Sequence, residues 1–144
     1  MNRENLQATT ATGNAPTASA SVPLSARQAA GTGALLVGLG VALGAFGAHS
    51  LEGLVTAARL ETFQTAVRYQ IYSGLGLMLL GQFAHLGRGA PRAALAVLVG
   101  TLVFCGSLYL LVAGAPGFFG AVAPVGGGLM ISGWLVAAWR LWRG

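Results

Sequence analysis

Charge is what this sequence has least of. Asp, Glu, Lys and Arg together make up 8% of its 144 residues, against about 25% in soluble domains. Lysine and aspartate are absent: the 8 basic residues are all arginine, and the 3 acidic ones are Glu4, Glu52 and Glu61. So few ionised groups cannot clothe a water-facing surface. With 55% hydrophobic residues and a mean hydropathy of +0.71, hydrocarbon is the solvent for much of the chain. Without Asp, no Ser-His-Asp set can be assembled. The single cysteine, Cys105, lies in an apolar run with no Cys or His at metal-ligand spacing, so it reads as a buried small hydrophobe. The net charge of +5 forms no basic stripe. The arginines flank apolar runs, which fits membrane orientation and headgroup contact and argues against nucleic acid as a partner.

The length predicts one domain. Residues 1–27, rich in Ala, Thr and Ser, hold too little apolar surface to offset ordering entropy and are expected to be a disordered tail. Residues 28–144 are expected to form an all-α membrane protein with four transmembrane helices, at about 29–48, 69–86, 93–113 and 121–142. Between the first two spans, residues 50–68 mix Glu52, Arg59, Glu61 and Arg68 with apolar side chains, predicting an interfacial helix at or just outside the membrane surface that runs into the second span. An export signal ending near Ala48 is the rival reading of the first span; its length and the spans that follow disfavour it.

Orientation follows from the arginines. Arg3, Arg27, Arg88, Arg92, Arg140 and Arg143 fall on one side, whereas Arg59 and Arg68 are balanced by Glu52 and Glu61 on the other, which puts both termini in the cytoplasm. Trp139 and Trp142 are expected to anchor the inner interface, and Tyr72, Tyr109, Phe118 and Phe119 the outer one. In lipid, helices associate where small residues let backbones approach. Gly40, Gly44 and Ala48 form such a face on the first span, Pro124, Gly128 and Ser132 on the fourth, and Ala96 and Gly100 begin one on the third. These faces are expected to meet at the bundle centre, the alternative being a homodimer seam. Pro124 is expected in the first turn of its helix, where a missing amide is tolerated.

The candidate polar cluster is His49, Glu52, Glu61, Arg68, Tyr69 and Gln70. His49 and Glu52 would share a helical face, but a metal site needs a third ligand and His85 falls at the other side of the membrane, so no metal or cofactor is expected. Glu61 and Arg68 stand two turns apart on one face, beyond i,i+4 reach, and each is expected to pair elsewhere, with His49, Gln70 or Ser73. Thr101, Ser107 and Ser132 can satisfy themselves on their own helix backbones, which leaves Gln82 as the other polar group within a span. Gly126-Gly127-Gly128 lacks the Lys and Ser/Thr of a phosphate loop.

Four blocks carry a resemblance: Gly44-Ala45-Phe46-Gly47-Ala48-His49 with Leu51; Phe63 with Thr65-Ala66-Val67-Arg68-Tyr69-Gln70 and Tyr72; Phe104 with Gly106-Ser107-Leu108-Tyr109; and Pro124-Val125-Gly126-Gly127 with Gly133-Trp134. In this order, over about residues 30–143, they resemble the YgdD-type inner-membrane proteins, a domain-of-unknown-function group related to a small eukaryotic transmembrane family. The resemblance implies a bacterial inner-membrane, multi-pass protein with no catalytic residues to carry over. Ser73 stands where members often have His, which weakens any reading that needs that imidazole. The functional expectation is a non-enzymatic membrane component that binds membrane lipid, other membrane proteins or itself. The alternative is a small oligomeric transporter or channel.

Overall fold

The computed structural model describes residues 24–143. Residues 1–23, most of the expected disordered tail, lie outside the described residues, as does Gly144. Four helices follow one another: α1 (Ala26–Phe46), continued by a π-helical turn (Gly47–Leu51), α2 (Ala57–His85), α3 (Pro91–Val112) and α4 (Phe119–Arg143). The last residues of the expected tail are ordered. Ser25 caps α1 in a capping box: its Oγ accepts from the Gln28 amide at 3.2 Å and its own amide donates to Gln28 Oε1 at 3.0 Å.

Each connection is written in local residue chemistry. After the π-helical turn, Gly53 adopts φ +87°, and Thr56 then caps α2 by accepting from the Arg59 amide at 3.4 Å. Gly87 (φ +77°) ends α2, and Pro91 opens α3 at its first turn, where an amide is not needed. Gly114 (φ +94°) turns the chain between α3 and α4.

The expected interfacial helix does run into the following one, but it starts later than expected: residues 52–56 form a connection, and residues 57–68 are the first part of α2, which runs unbroken for 29 residues. A change from apolar to polar side chains is not a change of backbone conformation, and no proline or cap interrupts the stretch. Among the described residues three helices have the length and apolarity of membrane spans: Ala26–Leu51, Pro91–Val112 and Phe119–Arg143, with hydropathies of 1.8, 2.4 and 1.6. The long but more polar α2 falls short of that apolarity.

α1 packs antiparallel on α2, α3 on α4, and the α2–α3 contact joins the two hairpins. The α1–α2 seam runs the length of both helices. Gly47 meets Phe63 at one end, Gly33 faces Gly74 in the middle, and Gly81 meets Ala26 and Ala30 at the other. A Cβ on Gly74 would lie 2.8 Å from the Gly33 carbonyl oxygen. The α3–α4 seam is as close: a Cβ on Gly100 would stand 2.6 Å from the Met130 amide nitrogen, and one on Gly133 would stand 2.9 Å from that of Val97. Leu36, Leu77, Leu80, Val97 and Ala137 form the core toward the end of the bundle that holds Ala90. Phe63, Val67 and Val112 form a second cluster toward the other end.

The small-residue faces do not meet as expected. Gly40 packs on Ile71 and Gln70, and Gly44 on Val67, all in α2, while Ala48 is exposed. Pro124, Gly128 and Ser132 all lie on the exposed side of α4, whose packed face is Ala123, Gly126, Met130, Gly133 and Ala137. Against hydrocarbon, an outward face carries no polarity mark to tell it from a seam, so spacing alone points to either. Pro124 also sits later than expected. With α4 beginning at Phe119 it lies in the second turn, where its missing amide withholds a hydrogen bond from the carbonyl of Gly120.

Candidate functional site

The second helix carries the polar chemistry of the molecule, in two parts that face opposite ways. Inward points Gln70, 5% exposed. Its Nε2 donates to the Leu36 carbonyl of α1 at 2.9 Å, and its Oε1 accepts from the Tyr109 hydroxyl of α3, also at 2.9 Å. One amide thus ties three helices together. An unsatisfied amide in hydrocarbon costs several kcal/mol, so both bonds are strongly favoured once the helices pack. Gly40 makes the approach possible: a side chain there would run into Ile71, beside the Gln70 amide. Nearby, the Cys105 thiol donates to the Ala66 carbonyl at 3.3 Å, a second α2–α3 link that the sequence reading of a simple buried hydrophobe missed. Tyr109 packs on Phe63 with ring centroids 5.4 Å apart. Among the described residues, every fully buried side-chain nitrogen and oxygen has a partner.

Outward points a stripe that begins polar and ends apolar. Glu61, Gln64, Arg68, Tyr69 and Tyr72 are exposed, with Thr65 half-buried between them, and Leu75 and Leu79 continue the same face. The spacing of 61, 65, 68 and 72 keeps them on one side of an α-helix. The Arg68 guanidinium folds back toward the start of its helix: Nε donates to the Gln64 carbonyl at 3.3 Å and Nη2 to Thr65 Oγ1 at 3.4 Å. Its observed partners are therefore in its own turn, and not His49, Gln70 or Ser73 as expected.

Beside this stripe, α2, α3 and α4 enclose an open groove of about 380 Å³ lined by Tyr69, Tyr72, Ser73, Phe104, Gly127 and Trp134. Its walls are almost wholly apolar. Above it, toward the start of α2, a hollow lined by Glu61, Thr62, Thr65, Phe104 and Leu108 shares Phe104 with the groove.

The remaining members of the expected cluster are scattered. His49 lies exposed in the π-helical turn, and Glu52 lies beyond its end in the turn closed by the Leu54 amide on the Leu51 carbonyl, so the two do not share a helical face. His85 ends α2 at the opposite end of the bundle. Among the described residues no three of His, Cys, Asp and Glu gather. Tyr72 sits midway along α2, and Tyr109, near the end of α3, turns its hydroxyl inward to Gln70. At the end of α4, the Arg143 and Arg140 guanidinium groups lie 4.5 and 5.9 Å from the Trp139 ring centre. Thr101, Ser107 and Ser132 do bond to carbonyls of their own helices, at 2.7, 2.8 and 2.9 Å.

Helical throughout its described residues, with three helices fit to cross a bilayer and a fourth packed along them, the chain is a small multi-pass membrane protein. Comparison with known proteins agrees. The family model described as "Protein of unknown function (DUF423)" matches residues 43–127. The UPF0382 membrane protein SH2409 of Staphylococcus haemolyticus is 39% identical over 105 residues, covering 72% of this chain and 86% of that protein. YwdK of Bacillus subtilis, also a UPF0382 membrane protein, is 36% identical over 107 residues, 72% and 87% of the two chains. A UPF0382 membrane protein of Haemophilus influenzae is 33% identical over 100 residues, 69% and 81% of the two chains. The chain belongs to this DUF423 family of bacterial membrane proteins. No solved structure matches it.

Proposed function

We propose that the chain is a non-enzymatic component of the bacterial inner membrane, of the YgdD type, that crosses the bilayer four times with both termini cytoplasmic. It binds lipid or protein partners through the exposed face of α2. One observation carries this reading: α2, packed along the whole of α1, leaves Glu61, Gln64, Arg68 and Tyr72 unburied by the chain's own helices. A polar stripe at membrane depth is costly when bare and is kept where something engages it. The fourth span rests on the α1–α2 seam. A helix paired with α1 from Gly47 to Ala26 reaches both sides of whatever α1 crosses. Orientation rests on Arg27, Arg88, Arg92, Arg140 and Arg143, which lie at one end of the bundle.

Two experiments test it. In a background whose single cysteine is buried, a Leu54→Cys variant, in the exposed connection before α2, should label with an impermeant maleimide from outside the inner membrane, and a Leu86→Cys variant, just after α2, only after lysis. The opposite pattern inverts the topology; labelling of both from one side removes the α2 crossing. A photoreactive residue at Thr65 should give a defined protein or lipid adduct in native membranes, above the bulk-lipid labelling that one at Ser132, on the exposed side of α4, also gives. A second reading, a small oligomeric transporter, draws on the same Arg68. It predicts ion or cationic-drug flux in reconstituted vesicles that is lost in Arg68→Ala.

A further inference from the structure

The exposed face of α2 carries its charges in a fixed order of depth. Counting along the α1–α2 seam, the middle of the bundle falls close to Tyr72. Arg68 then stands about 6 Å, and Glu61 about 16 Å, from the mid-plane along the helix axis. The Arg68 side chain reaches back toward Gln64 and Thr65, which brings its guanidinium to just inside the edge of a hydrocarbon half-layer about 15 Å deep. The cation is therefore the deeper group and the carboxylate the shallower one, on one helical face. Directly below them the apolar groove between Tyr69, Phe104 and Trp134 descends through the mid-plane.

We propose that this arrangement is a seat for one zwitterionic glycerophospholipid of the ethanolamine class, in the leaflet at the N-terminal end of α2. The phosphate rests on Arg68, the primary ammonium reaches up to Glu61, and one acyl chain fills the groove. The charge order selects this occupant. In such a lipid the phosphate lies nearer the hydrocarbon and the ammonium nearer water, the complement of Arg68 below Glu61. A purely anionic lipid would satisfy Arg68 but set its headgroup against the Glu61 carboxylate. A primary ammonium, unlike a choline, also donates hydrogen bonds to that carboxylate. The groove's walls are almost wholly apolar, which suits an acyl chain better than a polar solute. The inference rests on the partner-binding reading of α2 and names its partner.

The test uses the full chain purified in mild detergent, with bound lipid counted by native mass spectrometry after adding dioleoyl phosphatidylethanolamine, phosphatidylcholine or phosphatidylglycerol at equal concentration. Phosphatidylethanolamine should be retained best. Arg68→Gln should lower its retention roughly tenfold, as the loss of one charge-assisted contact does. Glu61→Gln should abolish the preference over phosphatidylglycerol while leaving binding. Gly127→Leu should block the groove: a Cβ at Gly127 meets only the Phe104 ring, at 3.6 and 3.8 Å, so the side chain enters the cavity with no backbone clash. Ser132→Leu, on the exposed side of α4 away from the groove, should retain lipid as the parent does, and helical content by circular dichroism certifies each variant as folded. Equal or better retention of phosphatidylglycerol by the parent overturns the proposal. So does retention unchanged by Arg68→Gln or Gly127→Leu. Protein adducts from Thr65 without lipid adducts above the bulk level would overturn the lipid and leave the partner-binding face standing; no adduct of either kind above that level removes both.

Discussion

The α3–α4 hairpin and the α2 helix hold themselves in the same bundle by different means. In the hairpin, Gly100, Gly126 and Gly133 bring backbones together, and the hydroxyls of Thr101, Ser107 and Ser132 turn back onto their own helices. Nothing polar crosses between α3 and α4 among these groups, and packing alone carries the contact. In α2, side-chain hydrogen bonds from Gln70 and to Ala66 cross to neighbours on both sides, and a polar face is left over. The hairpin is a seam that tolerates no added volume. α2 has an equally close seam with α1 at Gly74 and Gly81, and adds to it hydrogen bonds that are specific in partner but individually modest.

Variants should separate the two. The largest effect is expected at the seam. Gly126→Leu drives a side chain into the Phe104 backbone and should cost about 3 kcal/mol or more, since overpacking a close contact that cannot open is worse than losing a bond. Detergent-melting or steric-trapping unfolding should show it, and a variant that melts with the parent would remove the close seam. Next comes Gln70→Leu, which strands the Tyr109 hydroxyl and should cost about 1–2 kcal/mol. Combined with Tyr109→Phe it should show a coupling of about 0.6–1.7 kcal/mol, the range for hydrogen bonds between membrane helices. Cys105→Ala should cost about 1 kcal/mol, and the parent thiol should resist maleimide until the chain is unfolded. The smallest effect belongs to Ser132→Ala. Its hydroxyl bonds only to Leu129 on an exposed face, so it should move stability by less than about 0.5 kcal/mol.

The helices were legible in the sequence because their chemistry is local. Apolar length was enough to find them; the Ser25 and Thr56 caps, though written within a few residues of their helices, were not read, and Ser25 was placed in the tail. The polar stretch was read as running into the second span, and the two are one helix because nothing between Arg59 and Tyr69 breaks it; its start was placed too early, since polar residues mark the environment of a helix and leave its first turn unmarked. The seams were half legible. Gly40 and Gly44 do pack, but on α2, while the Pro124, Gly128 and Ser132 stripe faces out. The four blocks that carried the resemblance prove to be the contact surfaces themselves: Gly47 meets Phe63, Gln70 meets Tyr109, and Gly126 meets Phe104. Which block meets which could not be read, because Gln70 and Tyr109 are 39 residues apart and their bond is a product of the fold.

The Gln70 amide also bears on how the chain is made. A helix that carries Arg68 and Gln70 through the bilayer, as proposed, gains little by entering lipid alone. It becomes favourable there only once the Leu36 carbonyl of α1 stands ready to receive it. α1 and α2 should therefore leave the insertion machinery as a pair, with α1 acting as an internal chaperone, and Tyr109 should lock the arrangement when α3 arrives.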